Sequence, residues 1–517
     1  MAVLTLTILS FTGCVPDLAT PAAATVTPSA TSEATPTPAV APTWTAPPPT
    51  PVPTQEAAPP IPLNAVSRRP QITMDIALNL RGRRLDVTQV VMTANGTSDP
   101  WQEVVFAVMP AHQPGVLALE LVEVTTYTAG TTAGQRHIVA GTLDDMMLHV
   151  PMPKPVQPGD AVMITFVYHL RAPQIDQATW LPEGNLGAGE RVLQAGDWHP
   201  TLVPYRDGAG WQTWTYHPVG DPIVYPVADY DVQIFADPAV VIAAPGEVTH
   251  EGGVHRYRMQ GARSFAFLAS PDYQVMVAEA GGLPLQAYYL PGQGAAAEAA
   301  LEIAARAIPL YKELYGPYPA VQGEGAPALV IAQNTYWGSM EYAGLISLSD
   351  RVFQTHTDTP KSQLVSLTAH EIAHQWWYGA VGSDQVHAPW LDEAFAKYSE
   401  LLYYERYHPE LTRWWWETHV YRFDPKGTVD RTIYDFPSTP VYFNQLYGQA
   451  ARFMADLRRD IGDDAFFAFV KAYRAAGESH AAGVGRLADA DLFFTTLAAH
   501  TDVDLSPLLE RYFTKPD

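Results

Sequence analysis

The sequence predicts a multidomain α and β protein, in which a β-rich, sandwich-like region precedes a mainly α-helical region with a small sheet. Between about residues 71 and 278, apolar and polar residues alternate at period two, which is typical of strands. After about residue 282 the apolar spacing becomes helical. A Pro-, Thr- and Ala-rich segment at residues 15–65 precedes both regions and cannot bury much apolar surface.

Composition excludes some classes of protein. Hydrophobic residues make up 47% of the 517 residues, enough for a sizeable core in two or three domains. The formal net charge of −23 repels nucleic-acid phosphates, and no basic stripe offsets it, so we expect no nucleic-acid partner. No obligate protein partner is evident. Cys14 is the sole cysteine, so a metal site in the body must use His, Asp or Glu.

The N-terminus is typical of an exported protein. Residues 2–12 are mostly apolar but too few to span a bilayer, which needs roughly 20 residues, and they suit a secretory signal. Phe11-Thr-Gly-Cys14 resembles the lipobox of bacterial lipoproteins, which implies a lipid on Cys14. We therefore expect a signal and lipobox segment at 1–14, a disordered linker at 15–65, and an extracytoplasmic body anchored to the cell membrane. The alternative is a frayed apolar terminus with an incidental thiol.

The β region is expected at residues 66–278. Alternating segments such as 116–124, 161–168 and 230–235 are separated by Pro, Gly, Asp and Asn clusters, and no long helix is predicted. Three tryptophans in a turn-rich stretch are expected to pack between sheets or, alternatively, to line a ligand surface: Trp198, Trp211 and Trp214.

The helical region is expected at residues 279–517. Its apolar spacing predicts a short strand at 328–332 and six helices, near 295–314, 361–379, 389–407, 448–460, 463–476 and 487–500.

A metal-binding pattern stands in the second of these helices. On an α-helix, residues i and i+4 lie about 40° apart around the axis, so the rings of His370 and His374 can share one cation. Glu371 is adjacent to the open side of that cation and can act as a general base. The alternative is a buried helix with two hydrogen-bonded histidines.

A second helix supplies a third ligand. Residues 375–392 separate His374 from Glu393, an interval that lets one helix end and another pack against it. Two histidines and one glutamate leave a fourth tetrahedral position for water, as a catalytic zinc requires. We therefore predict one Zn²⁺ per chain, bound by His370, His374 and Glu393.

These residues resemble the aminopeptidase N and leukotriene hydrolase family of gluzincin metallopeptidases. The zinc helix is similar over residues 370–377, and the third-ligand helix over 390–396, with Asp392 where asparagine is usual. Residues 338–342, Gly-Ser-Met-Glu-Tyr, resemble the family's Gly-Ala-Met-Glu-Asn exopeptidase motif, and Tyr447-Gly-Gln-Ala resembles the segment bearing its transition-state tyrosine. The resemblance implies a thermolysin-like catalytic domain.

The resemblance also implies roles for individual residues. Glu341, with Gly338 and Met340, would bind the free α-amine of a peptide, and Tyr447 would stabilise the transition state, with Tyr442 as the competing candidate. Tyr342 replaces the family's asparagine, and the glutamine that the family's N-terminal domain supplies to the amine is not identifiable.

Several alternatives stay open. Peptides are the expected substrates of an aminopeptidase, but a zinc endopeptidase and a non-catalytic peptide-binding lipoprotein on the same scaffold are alternatives. A carboxylate should orient a ligand histidine, and three candidates compete for this role: Asp384, Asp392 and Glu400. His356 and His387 lack ligand spacing and are expected in loops or on the surface.

Overall fold

The computed structural model describes residues 69–514, except 130, 132–133, 177–184, 223, 252, 320–328 and 481–486. These residues belong to one of the two units into which the chain divides, Pro60–Asp517. The predicted signal and lipobox segment, Cys14 and the linker at 15–65 lie outside the described residues. Of the helices that are described, none has the length and apolarity that a bilayer crossing demands.

An eight-stranded sheet dominates the first half of the described chain. Burial alternates along its strands, as in Gln71–Asn79, because successive side chains point to opposite faces and one face is covered. The pair Gln71–Asn79 and Ala228–Phe235 is parallel and the other pairs are antiparallel. In spatial order the strands are Glu247–Glu251, Val254–Ala262, Ala228–Phe235, Gln71–Asn79, Arg84–Ala94, Ala161–Arg171, Leu117–Tyr127 and Gln135–Ile138.

Smaller antiparallel sheets pack beside it. One four-stranded sheet has the order Val241–Ala243, Phe267–Ser270, Leu193–Ala195 and Leu186–Ala188. Another has the order Thr201–Leu202, Trp101–Ala107, Met147–Val156 and Thr142–Asp144. Tyr205–Arg206 and Gly210–Trp211 form a short ribbon. Their apolar faces share one core, in which Trp198 is fully buried.

A five-stranded mixed sheet opens the second half. Its order is Gln274–Ala280, Leu283–Tyr289, Leu329–Gln333, Leu345–Leu348 and Met340–Tyr342. The helices are α1 (Gly294–Tyr315), α2 (Asp350–Gln354), α3 (Gln363–Ala373), α4 (Trp390–Tyr407), α5 (Thr412–Trp415), α6 (Thr439–Tyr442), α7 (Gly448–Ile461), α8 (Asp463–His480), α9 (Ala490–Ala498) and α10 (Ser506–Tyr512). Short 3₁₀ segments lie at Met109–His112, Pro409–Leu411, Tyr421–Phe423 and Ile433–Asp435, and π-helical segments at Gln375–Ala380, Trp416–Val420 and Phe443–Tyr447.

The predicted fold class is confirmed: β-rich sheets precede a mainly helical region with a small sheet. The domain division at residues 278 and 279 stays a prediction. Strand Gln274–Ala280, which spans it, pairs with Leu283–Tyr289 in the five-stranded sheet. One hydrophobic core also joins side chains of both halves, including Trp214 and Tyr225 from the first and Phe395 from the second.

Candidate metal centre and active site

Helix α3 carries His370 and is followed directly by His374, the other predicted histidine ligand, and it is held against α4. The hydroxyl of Tyr311, on α1, lies 3.0 Å from the carbonyl oxygen of Ala369 and 3.1 Å from that of Ser399, within hydrogen-bonding distance of both helices. Because Ala369 precedes His370 and Ser399 lies on α4, this buried hydroxyl fixes the spacing of the two helices beside the site.

The continuous helix predicted at 361–379 is interrupted. Regular α3 ends at Ala373, and a π-helical turn follows over Gln375–Ala380. The carbonyls at the end of this turn point at Arg263, from the β-rich half, whose guanidinium donates to Tyr378 O at 2.7 Å and to Ala380 O at 3.3 Å. A cation at the carbonyl end of a helix is favourable, so Arg263 stabilises this end. Burial lowers its pKa to about 10.

Three ligand atoms converge between α3 and α4. His370 Nε2 lies 3.1 Å from His374 Nε2, and Glu393 Oε2 lies 3.3 Å from the first and 3.7 Å from the second. A tetrahedral ion with ligands at about 2.0–2.1 Å has its ligands about 3.3 Å apart. The three measured separations scatter around that value, so the triangle has the dimensions of a metal site.

The outer nitrogen of each ring contacts a carboxylate. His374 Nδ1 lies 2.6 Å from Asp392 Oδ1, and His370 Nδ1 lies 3.0 Å from Glu400 Oε1. The His374 contact has hydrogen-bond geometry, whereas the His370 contact is a close charge contact without it. With a proton on each Nδ1, both Nε2 lone pairs face one another and Glu393 Oε2, which is buried without a hydrogen-bond donor. Lone pairs that converge in this way require a cation between them, and the donor set fits a metal ion.

Asp392 and Glu400 therefore share the orienting role for which three candidates were open. Asp392 also accepts a hydrogen bond from Gln385, and Lys397 Nζ lies 2.9 Å from both oxygens of Glu400. The third candidate, Asp384, instead accepts from exposed His387 at 2.8 Å. These partners hold both carboxylates in place behind the rings.

The pKa values of the ionisable side chains at the site differ strongly from their ordinary values. Burial by itself would lower the pKa of His370 and His374, but the facing carboxylates outweigh it and raise the pKa of each to about 10. Burial raises the pKa of Glu371 to about 7. Without a metal, the imidazoles thus hold the protons that a cation would displace.

Glu371 and Tyr447 are neighbours of the triangle. Glu371 is buried and its Oε2 has no hydrogen-bond partner among the described residues. The Tyr447 hydroxyl donates to Glu393 Oε1, the oxygen that points away from the histidines, and the Tyr447 ring lies parallel to the His370 ring at 5.7 Å. Tyr442 packs edge-on against the Tyr447 ring at 5.5 Å.

Strand Met340–Tyr342 brings the predicted amine anchor to the site. A carboxylate oxygen of Glu341 lies within 4.8 Å of a ring nitrogen of His374, and its Oε1 is buried without a hydrogen bond. Met340 is fully buried beside it, and Gly338 O accepts from Asn334 at 2.8 Å, which fixes the turn into the strand. Tyr342, by contrast, points toward the β-rich half, where Gln194 donates to its hydroxyl at 3.1 Å.

Asp221 is a site residue that sequence reasoning missed. It lies in the connection between Trp211 and Ala228, and its carboxylate comes within 4.8 Å of those of Glu341 and Glu393. Burial, followed by the charges of Glu393 and Glu371, raises the pKa of Asp221 well above the usual range. Burial also raises the pKa of Glu341 well above its usual range, and the charge of Asp221 adds to this effect. The only available signal was the Gly-Asp-Pro sequence, which reads as an ordinary turn.

The other residues singled out from the sequence lie away from the candidate metal ligands. His387 is exposed, and His356 is a partly buried loop residue whose Nδ1 lies 3.3 Å from Ser362 Oγ. Of the three tryptophans, Trp198 and Trp214 are buried, and Trp211 packs against Trp101 with ring centroids 5.1 Å apart. All three pack within the protein.

Comparison with known proteins agrees with this geometry. Residues 299–512, which contain all three triangle residues, match the peptidase family M1 domain. The similarity to M1 peptidases therefore lies in the helical half of the chain. This confirms the resemblance inferred from the motifs.

Similar M1 proteins are aminopeptidases by name. Aminopeptidase N of Lactobacillus helveticus is 27% identical over 42% of this chain and 26% of its own length. Aminopeptidase N of Acetobacter pasteurianus is 31% identical over 25% of this chain and 38% of its own, and aminopeptidase M1-A of Oryza sativa is 28% identical over 26% and 15%. The chain thus spans well under half the length of these curated relatives.

Solved structures share the fold over more of the chain. A mutant of an M1 zinc metallopeptidase from Deinococcus radiodurans superposes with a TM-score of 0.60 at 17% identity, covering 87% of this chain and 96% of that one. The same mutant has been crystallised with a Tyr-Ser-Ala substrate. A related structure is described as a two-domain M1 zinc metallopeptidase.

Proposed function

We propose that this protein is a zinc-dependent, M1-type aminopeptidase that removes N-terminal residues from peptides. The observation that carries the proposal is the juxtaposition of two groups. The triangle of His370, His374 and Glu393 is sized for a metal ion, and Glu341 has a carboxylate oxygen within 4.8 Å of ligand atoms of the last two. Its Oε1 has no hydrogen-bond partner among the described residues.

Zinc is the metal that this donor set favours. Two imidazoles and one carboxylate are a common ligand set of catalytic zinc sites, and zinc readily adopts tetrahedral coordination in which the fourth position is open. When bound, it would polarise the substrate carbonyl and lower the pKa of a water ligand to about 7.

The chain's own groups would move the protons and hold the transition state. Glu371, with a pKa near 7 and a free buried oxygen, is suited to take a proton from water and deliver it to the leaving amine. Tyr447 is the donor for the developing oxyanion. Its hydroxyl would have to leave Glu393, or share its proton, to do so.

The acidic surroundings favour an exopeptidase over an endopeptidase. In a peptide, the α-amine nitrogen and the first carbonyl carbon are about 2.5 Å apart, so an amine anchor must lie beside the metal. Glu341 and Asp221 lie there, and among the described residues no lysine or arginine forms an ion pair with either carboxylate. A protonated α-amine would neutralise this excess charge, whereas an internal peptide segment would leave it unpaired.

Hydrolysis of paired peptides tests the proposal. We expect the zinc-loaded protein to cleave Tyr-Ser-Ala, the peptide bound by the Deinococcus structure, and to leave its N-acetylated twin intact. Glu371→Gln should lower kcat by ~10²-fold or more, because proton transfer contributes about 10²–10⁴-fold. Equal cleavage of both peptides would show that the enzyme is an endopeptidase instead of an aminopeptidase. If Glu371→Gln were as active as the wild type, hydrolysis at this site would be refuted.

We further propose an extracytoplasmic, membrane-anchored location through a lipid on Cys14. The lipobox-like Phe11-Thr-Gly-Cys14 and the Pro-rich residues 15–65 support it. In a bacterial host, the full chain should sediment with membranes and Cys14→Ala should not. Equal sedimentation of both proteins would contradict lipidation.

A further inference from the structure

We propose that Asp221, from the β-rich half, is a second anchor for the substrate's α-ammonium group and acts together with Glu341. This inference deepens the proposed aminopeptidase function and rests on it. It assigns a specificity role to a residue far from the catalytic motifs in sequence, in a connection that no motif marks.

Spacing of the two carboxylates suits one ammonium group. The closest described ligand atoms of Asp221, Glu341 and Glu393 all lie within 4.8 Å of one another. An ammonium nitrogen that donates two charge-assisted hydrogen bonds of about 2.8 Å in tetrahedral directions places its acceptors about 4.6 Å apart. A single –NH₃⁺ group therefore fits between Asp221 and Glu341.

Both carboxylates are poised for a ligand rather than engaged within the protein. Glu341 is 4% exposed, and its Oε1 is buried without a hydrogen-bond partner. Within the described part of the chain, no hydrogen bond or ion pair reaches the Asp221 carboxylate. Leaving the buried oxygen of Glu341 unpaired is costly, and a cation bound between Glu341 and the partly buried Asp221 would remove that cost.

A substrate amine fits this pair better than a second metal ion. The third carboxylate nearby, Glu393, directs Oε2 at the two histidines and accepts from Tyr447 on Oε1. A hard divalent cation there would have only two uncommitted carboxylates, whereas Ca²⁺ takes 6–8 oxygen ligands. An ammonium group needs no more than three acceptors.

The connection that carries Asp221 is attached to the catalytic half. Gly220 has a positive φ of 76° and packs against Ile433, where an added Cβ would lie 2.7 Å from a side-chain methyl. Nearby, Tyr434 Oη donates to Thr215 O at 3.0 Å. These contacts hold the carboxylate at a fixed place beside Glu341, as recognition of one small group requires.

Peptide binding to a non-hydrolysing enzyme tests the inference separately from catalysis. In the full-length, zinc-loaded Glu371→Gln background, the Kd of Tyr-Ser-Ala and of its N-acetylated twin would be measured by calorimetry. Adding Asp221→Asn should raise the Kd of the free-amine peptide by ~10-fold or more, because hydrogen bonds to charged groups are stronger than those between neutral groups. The N-acetylated twin should bind equally to both proteins, and Asp221→Glu should restore part of the loss.

Controls separate this role from a structural one. Asp237→Asn, at an exposed turn of the β-rich half, should leave both Kd values unchanged. Metal content should stay at one zinc per chain in every variant, and the melting temperature should change little. An unchanged Kd for Tyr-Ser-Ala in Asp221→Asn would overturn the inference, as would loss of a second bound metal ion. Failure of the wild-type enzyme to hydrolyse the peptide would instead refute the proposed function.

Discussion

Replacing Asp392 by asparagine should weaken metal binding, although Asp392 does not belong to the ligand triangle. Its Oδ1 lies 2.6 Å from His374 Nδ1, and both side chains are 1% exposed. Asparagine can still accept the Nδ1 proton, so the substitution removes the charge and leaves the ring orientation nearly intact. The ring then becomes a weaker donor to the metal.

The magnitude follows from this buried contact. Partners behind a ligand histidine are typically worth about 10–100-fold in metal affinity, and the full burial of this pair keeps its interaction unscreened by solvent. We expect Asp392→Asn to raise the Kd for zinc by ~10-fold, or ~1.4 kcal/mol. Asp392→Ala should raise it by ~100-fold, because it also leaves a buried donor without an acceptor.

A chelator competition at fixed pH measures these affinities. The matched control is Asp384→Asn, which removes the same charge from a contact with His387 that is 2.8 Å long but exposed. That variant should bind zinc like the wild type. If Asp392→Asn also binds zinc like the wild type, the reasoning that Asp392 strengthens His374 as a ligand is wrong.

Three further predictions follow from the site. The metal-free protein should lose stability as pH rises from about 6.5 toward 10, because the folded-state pKa of both imidazoles is raised to about 10 and they favour folding only while protonated. The melting temperature measured with a chelator should therefore fall over this range. Added zinc should raise the melting temperature most at the alkaline end. In a denaturant titration, Arg263→Ala should lower the free energy of unfolding by ~3 kcal/mol or more, because three buried carbonyls lose their donor. The control Arg256→Ala, at a partly exposed ion pair, should lower it by less than ~1 kcal/mol. Tyr447→Phe should lower kcat by ~10²–10³-fold with little change in KM, whereas Tyr442→Phe, measured in parallel, should not.

Much of the secondary structure could be predicted because the residue patterns that specify it lie within short stretches of the chain. Period-two alternation predicted the strands of the first half, and the predicted helix at 389–407 agrees closely with α4, Trp390–Tyr407. Short elements were missed, including α2, α5, α6 and α10, because they span only one or two turns and form through packing. The π-helical turn after α3 was also missed, since its carbonyls are stabilised by Arg263 from the other half of the chain.

The sequence by itself predicted His370 and His374 as candidate ligands and Glu393 as the acid that joins them. Helical periodicity places His370 and His374 on one face, and a single loop returns the chain to the same place. Only the tertiary structure decided which carboxylate contacts the Nδ1 atom of each ring and that Asp384 contacts neither ring. It also placed the carboxylate of Asp221 next to that of Glu341. The physical reason is that these contacts join segments distant in the chain, and no periodicity records which segments meet.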